Sequence, residues 1–205
     1  APGMKLYHSP RTRSVRIVWL LEELGVPYEL EVVAFKPPIP PAKPFAQDSP
    51  FGKIPALRDG DVDMFESGAI LEYVLERYGD GRLAPPPGAP LRARFLQWIH
   101  FAEGTAFPPL GNIAWHRFKG DEESIPGAIA DYRGWADGAL TVLEKALARN
   151  DYLLGAEFSA ADVMMGYTVQ CAKWFGLLTD AHPNLSAYLG RLEKRPAFQK
   201  AFSPS

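Results

Sequence analysis

Three short stretches of the sequence carry side chains of the kinds that hold and activate small polar ligands. The first, Tyr7-His8-Ser9-Pro10-Arg11-Thr12-Arg13-Ser14, is rich in hydroxyls and cations and joins a strand-like stretch to a helical one. Loops at the carboxyl ends of strands are where ligands gather in α/β folds. A hydroxyl there can donate to a thiolate, and arginines with a helix N-terminus favour the anion, drawing a thiol pKa down from about 8.5 towards neutrality. The same residues would also serve as ordinary capping and solvated charge. The second stretch is Lys53-Ile54-Pro55. A proline just inside a strand withholds a ladder donor and belongs at an edge or in an unusual backbone geometry, and if its peptide bond is cis that edge is preformed. An exposed edge at Ile54 offers main-chain groups that can hold an extended peptide whatever its side chains. A trans edge proline that only discourages aggregation is the plainer alternative. The third stretch, Glu66-Ser67-Gly68, opens a helical pattern. Helix N-termini attract carboxylates, Ser67 adds a hydroxyl donor, and Glu66 suits an ammonium group, so the pair could grip both charged ends of an amino acid. Taken alone, the serine reads more readily as an ordinary N-cap.

The elements that must position these residues are legible from periodicity. A strand at Lys5 to His8 leads to an amphipathic helix from about Ser14 to Leu24, whose stripe is Ile17, Leu20, Leu21 and Leu24 and whose stop is Gly25 with Pro27. Tyr28 to Val33 alternates as a second strand, with Tyr28, Leu30 and Val32 on one face. Prolines crowd residues 36–50, where regular structure is expected to be weak and the loop mobile. Ile54 to Arg58, an Asp59-Gly60 turn and Val62 to Phe65 make a hairpin, and a helix from Ser67 carries Ile70, Leu71, Val74 and Leu75 inward. The order is β-α-β, then β-β-α. Pro85, Pro86, Pro87, Gly88 and Pro90 mark a linker. Beyond it Phe95, Trp98, Ile99 and Ala102, then Ala136, Ala139, Leu140 and Leu143, repeat at helical spacing with no strand pattern, so the second domain is expected to be all α.

Composition narrows the function classes. The 205 residues are 47% hydrophobic and 22% charged, enough apolar side chain for packed cores. A formal net charge of −2 and a pI near 6.1 supply no positive field for nucleic acid or an anionic membrane. Cys171 is the one cysteine, which rules out an internal disulfide, a CxxC redox pair and a cysteine-built zinc site, and no metal is expected. The N-terminus leads straight into a strand-like stretch and no apolar run reaches membrane-spanning length, so the expected location is cytoplasmic.

In this order and spacing the three stretches make the chain resemble the N-terminal domain of the cytosolic glutathione transferase superfamily. The likeness runs through KLYHSPRTRSVRIVWLLEELGVPYEL and FGKIPALRDGDVDMFESGAILEYVLERYG, with ESGAILEYV after a KIP hairpin as its more specific part. In the second domain Phe158-Ser159-Ala160-Ala161-Asp162 resembles the family's helix-starting segment, with Ser159 capping the helix and Asp162 returning the bond. That is a folding signal for the buried helix through Val163, Met164 and Tyr167.

The resemblance implies an α+β/α fold: a thioredoxin-like domain at 1–84 that binds glutathione, then an all-α helical bundle at 91–205 that contributes a pocket for the electrophile. It implies glutathione as co-substrate, with the Ile54 backbone, set by Pro55, pairing with the cysteinyl unit. Glu66 and Ser67 would hold the γ-glutamyl end, Lys53 would approach the glycine carboxylate and Arg13 would assist electrostatically. The family activates the thiol with serine, tyrosine or cysteine near the end of the first strand. Ser9 is the first choice, since Ser-Pro continuing into Val15-Arg16-Ile17 matches serine-type members, with Tyr7 and Thr12 as rivals. Phe107, Trp115, His116 and Phe118 are candidate walls of the electrophile pocket. The implied reaction is attack of the glutathione thiolate on a small apolar electrophile by a detoxifying homodimer. A non-catalytic glutathione carrier or interaction protein and a glutathione-dependent isomerase are the alternatives. A thiol-disulfide oxidoreductase lacks its nucleophile, because no cysteine precedes Cys171.

Overall fold

The computed structural model describes residues 3–34 and 52–203. They form two units, Ala1–Leu83 together with Lys194–Ser205, and Ala84–Glu193. The proline-rich stretch at 36–50 lies outside the described residues.

In the first unit β1 (Met4–His8) is central, because it pairs in parallel with β2 (Glu29–Val32) on one side and antiparallel with β3 (Ala56–Asp59) on the other. β3 pairs antiparallel with β4 (Val62–Phe65), so the sheet order is β2-β1-β3-β4. The hairpin pairs Asp59 with Val62, so its two-residue loop is Gly60-Asp61, one position later than the Asp-Gly turn expected from sequence. Gly60 takes the positive φ of 60° that this turn requires. β3 also starts later than expected, at Ala56, since Pro55 has no N–H to give the ladder. Ile54 and Pro55 therefore stand just beyond the last ladder pair, Tyr7 with Ala56.

Two helices pack with this sheet as the periodicity predicts, and a third was not expected there. α1 (Val15–Leu24) ends on Gly25 at φ 67°, whose N–H donates to the Glu22 carbonyl. α2 (Ser67–Tyr78) buries Ile70, Leu71, Val74 and Leu75. Yet α1 has no polar face over its first two turns: every residue from Val15 to Leu21 is buried. The cover is the helix at Pro196–Phe202. Phe198 and Phe202 meet the Trp19 ring edge-on at 5.0 and 6.1 Å, and Arg195 grips the Glu23 carboxylate at 2.7 and 3.0 Å. Residues from 194 onward thus pack with the first unit, whereas the resemblance implies a helical domain that runs to 205. The reason is that Trp19 lies off the Ile17-Leu20-Leu21-Leu24 stripe and needs a second apolar partner.

The second unit is helical: α3 (Arg92–Phe101), a π-helical turn (Ala102–Ala106), α4 (Phe107–Lys119), a 3₁₀ turn (Glu122–Ser124), α5 (Pro126–Ala146), α6 (Ala160–Trp174) and α7 (Pro183–Glu193), so that Pro196–Phe202 is α8. α6 forms its centre, buried at every residue from Ala160 to Ala172. Its start is the expected capping box: Ser159 Oγ accepts from the Ala161 N–H and Asp162 Oδ2 accepts from the Ser159 N–H at 2.9 Å. Asp162 Oδ1 also accepts from the Leu153 N–H and from the Tyr188 hydroxyl at 2.7 Å, so one buried carboxylate joins the start of α6, the preceding turn and α7. Among the described residues no helix is long and apolar enough to cross a membrane.

Candidate functional site

Register brings the three chemical stretches to one end of the sheet. Tyr7 pairs with Ala56 and Ala56 with Phe65, so the loop after β1, the Lys53-Ile54-Pro55 approach to β3 and the Glu66-Ser67 exit from β4 are neighbours across consecutive strands. The opposite end, where Met4 pairs with Asp59, carries instead a cleft of about 360 Å³ lined by Met4, Leu24, Pro27, Tyr78 and Arg82, and none of the candidate residues faces it.

At the exit from β4, Glu66 holds φ 78° and ψ 110°, a conformation that costs a non-glycine residue of order 1–3 kcal/mol and that gathers at ligand-binding positions. Glu66 is exposed and is itself the N-cap, with no side-chain capping bond. Ser67 is therefore the first helical residue and not the cap. Its buried Oγ accepts from Arg16 Nη1 at 3.0 Å, which leaves the hydroxyl's own proton to donate. Arg16 is fully buried in α1, so this bond ties the start of α2 to a charge that needs partners. Lys53 is exposed, Ile54 half-buried and Pro55 buried, with a cis Ile54-Pro55 bond.

The three hydroxyls near the end of β1 differ in what they can offer. Tyr7 is 6% exposed in the central strand, with Lys5 Nζ 5.2 Å from its ring centre, the setting of a packed strand tyrosine. Ser9 is fully buried, and its hydroxyl donates to the Val33 carbonyl at 2.5 Å. The favoured serine thus spends its single proton on the backbone that follows β2. Thr12 is half-exposed, and its hydroxyl donates to the Ser9 carbonyl at 2.8 Å. It is the accessible one of the three. Arg13 is half-buried beside it in the chain.

Sequence reasoning passed over three polar groups in this region. Arg16 was hidden within an apolar helical run, where the signal would have been a charge on a stripe otherwise buried on both flanks. His8 and Ser14 are buried together, with His8 Nδ1 2.7 Å from Ser14 Oγ, and burial holds the His8 pKa below the usual imidazole range.

The proposed electrophile walls do not come together as a set. Phe107 is buried and stacked on Tyr167 at 6.1 Å, while Phe118, eleven residues and roughly 16 Å farther along α4, is 63% exposed. His116 Nδ1 lies 2.8 Å from Asp121 with its ring stacked on Tyr132, and Trp115 lies under Lys119.

Comparison with known proteins agrees with this geometry. Residues 2–76 match the family model described as glutathione S-transferase, N-terminal domain, and residues 126–191 match glutathione S-transferase, C-terminal domain. A glutathione S-transferase-like protein of Beauveria bassiana is 32% identical, over 96% of this chain and 93% of the fungal one. Glutathione S-transferase 3 of Schizosaccharomyces pombe is 29% identical over 94% and 84%. Among solved structures, a glutathione transferase of Phanerochaete chrysosporium in complex with oxidized glutathione superposes with a TM-score of 0.86 at 28% identity, covering 98% of this chain and 96% of that one. A family member of Pseudomonas fluorescens with two glutathione bound gives 0.84 at 28% identity, over 97% and 92%. With matches to both halves and full-length relatives, this chain belongs to the glutathione S-transferase family.

Proposed function

We propose that this glutathione S-transferase binds glutathione along the sheet end formed by β1, β3 and β4, and that the Thr12 hydroxyl stabilises its thiolate. The Ile54 main chain holds the cysteinyl unit, Glu66 takes the γ-glutamyl ammonium, Ser67 with the α2 N-terminus takes its carboxylate, and Lys53 takes the glycine carboxylate. Arg13 and the start of α1 add positive potential. The thiol proton leaves to water. The sulfur then forms a bond to an electrophilic carbon, and a leaving group departs with its electron pair or the electrons of an activated double bond take up a proton from water. The substrate class is a small apolar electrophile.

The observation that carries this reading is Glu66, held at positive φ beside a Ser67 hydroxyl that is anchored by a buried arginine and not spent on capping. Both hydroxyls donate to a backbone carbonyl, and Thr12 is favoured because it is half-exposed whereas Ser9 is fully buried. A cytoplasmic homodimer is part of the proposal; in its support α5 exposes Trp135 at 62% and Val142 at 47%, two turns apart on one face. Sedimentation reads the oligomeric state.

The deciding experiment is calorimetric titration with glutathione, and a chlorodinitrobenzene conjugation assay on wild type, Thr12→Val and Ser9→Ala. A hydrogen bond to a charged group is worth about 1.5–3 kcal/mol, so Thr12→Val should lower kcat by roughly 10- to 150-fold with affinity within a few fold. Ser9→Ala should retain turnover. The reverse pattern returns the role to Ser9. Binding without turnover in wild type favours the carrier alternative, and absence of binding removes the reading.

A further inference from the structure

The loop between β1 and α1 contains a connected set of polar groups that thiol binding by Thr12 alone leaves unused. His8 Nδ1 lies 2.7 Å from Ser14 Oγ, Ser14 Oγ 2.8 Å from Thr12 Oγ1, and Thr12 Oγ1 2.8 Å from the Ser9 carbonyl oxygen. His8 and Ser14 are buried, and Thr12, at the far end, is half-exposed. The set therefore runs from the interior outward.

Counting protons gives it a direction. Each hydroxyl owns one proton, and the Ser9 N–H donates to Ser14 Oγ at 3.1 Å. With the imidazole proton on Nδ1, His8 donates to Ser14, Ser14 donates to Thr12, and Thr12 donates onward. Ser14 Oγ then accepts twice and donates once, and every donor is used once. With the proton on Nε2 instead, Ser14 must donate to His8 to satisfy it, and the only donor left behind Thr12 is the Ser14 N–H at 3.4 Å. In the first arrangement the terminal proton can turn from the Ser9 carbonyl to a sulfur without breaking any other bond. That carbonyl keeps the Thr12 N–H at 3.3 Å; the Ser14 hydroxyl, 3.2 Å from it, has one proton and in this arrangement gives it to the nearer Thr12 Oγ1 at 2.8 Å.

We propose that His8 and Ser14 are positioning residues for thiol activation: the chain His8 Nδ1–H to Ser14 O–H to Thr12 O–H orients and polarises the Thr12 hydroxyl as the donor to the glutathione thiolate. The inference rests on the assignment of Thr12 made above. Donors in series strengthen one another in a water-poor setting, and a hydroxyl that is already accepting a bond is a better donor to an anion. No proton is transferred along the chain; each group keeps its own. Burial holds the imidazole neutral at physiological pH, the form in which the position of its single proton sets the direction.

The test is the ultraviolet titration of the bound glutathione thiolate in wild type, Thr12→Val, Ser14→Ala and Ser14→Thr, together with the ring ¹⁵N shifts of His8 in the wild-type protein. Thr12→Val should raise the thiolate pKa by about 1–2 units. Ser14→Ala should raise it by a few tenths of a unit, the scale of cooperative strengthening, and Ser14→Thr should restore it. His8 should show the Nδ1–H tautomer, a readout that does not depend on any variant folding. A wild-type titration in Ser14→Ala, or an Nε2–H tautomer of His8, overturns the chain even where Thr12→Val has its full effect. An unchanged titration in glutathione-saturated Thr12→Val overturns the Thr12 assignment and the chain with it.

Discussion

Ser67 shows how far a residue's obvious local use can differ from its actual one. A serine opening a helical pattern invites an N-cap, but here it accepts from Arg16 inside the unit. Ser67→Ala should weaken glutathione binding roughly 10-fold through one lost donor and lower stability by about 1–3 kcal/mol through a buried guanidinium that loses a partner; calorimetry and a melt of the unliganded protein separate the two effects. Glu66 and Ser67 stand out in the sequence as candidates because their types match the charges of an amino acid. Arg16 was not, since nothing in Arg11, Arg13 and Arg16 as letters says which turns inward; only the burial of both flanks of α1 decides it. His8 makes a second residue-scale prediction. Its folded pKa is depressed, so below the unfolded value of about 6.5 the unfolded state binds more protons than the folded one. Stability from this group is complete above that value and falls as pH drops from it towards the folded pKa. His8→Gln should show a shallower loss of Tm between neutral and mildly acidic pH than wild type, followed by calorimetry across that window.

At the scale of elements, the same two physical signals explain what was read correctly and what was not. Proline and glycine chemistry marked the hairpin, the stop of α1 and the linker, because both residues act through their own backbone and need no distant partner. The two-residue offset at the start of β3 and the one-residue offset of its turn arose because ladder pairing, and not propensity, sets where a strand begins. α8 falls within the 91–205 stretch expected to be the helical domain yet packs with the first unit, because position after a linker does not say which surface receives a helix. Phe198→Ala should cost about 3–5 kcal/mol, and hence roughly 6–20 °C of Tm, by opening a cavity beside Trp19. Asp162→Ala removes an acceptor shared by two backbone amides and a buried tyrosine. It should lower Tm by at least as much, with glutathione affinity per folded molecule unchanged.

On the scale of the molecule, the division into an α/β unit and a helical unit followed from the change in periodicity across the proline-rich linker. Saturating glutathione at about 100 times its Kd should add about 2.7 kcal/mol to stability, raising Tm by roughly 5–10 °C. Thr12→Val should keep that rise, since the proposal places most of the binding at Ile54, Glu66 and Ser67; a differential scan checks it.

The return of α8 to α1 has a consequence for how this protein is made. A ribosome completes β1, α1 and the whole sheet long before it reaches residue 194, with all of Ala84–Glu193 synthesised in between. Until Phe198 and Phe202 emerge, the Trp19 surface of a nearly finished first unit has no cover, and domain-by-domain folding during translation is interrupted. The final closure of the first unit is accordingly expected to be a late event that joins two ends of the sequence.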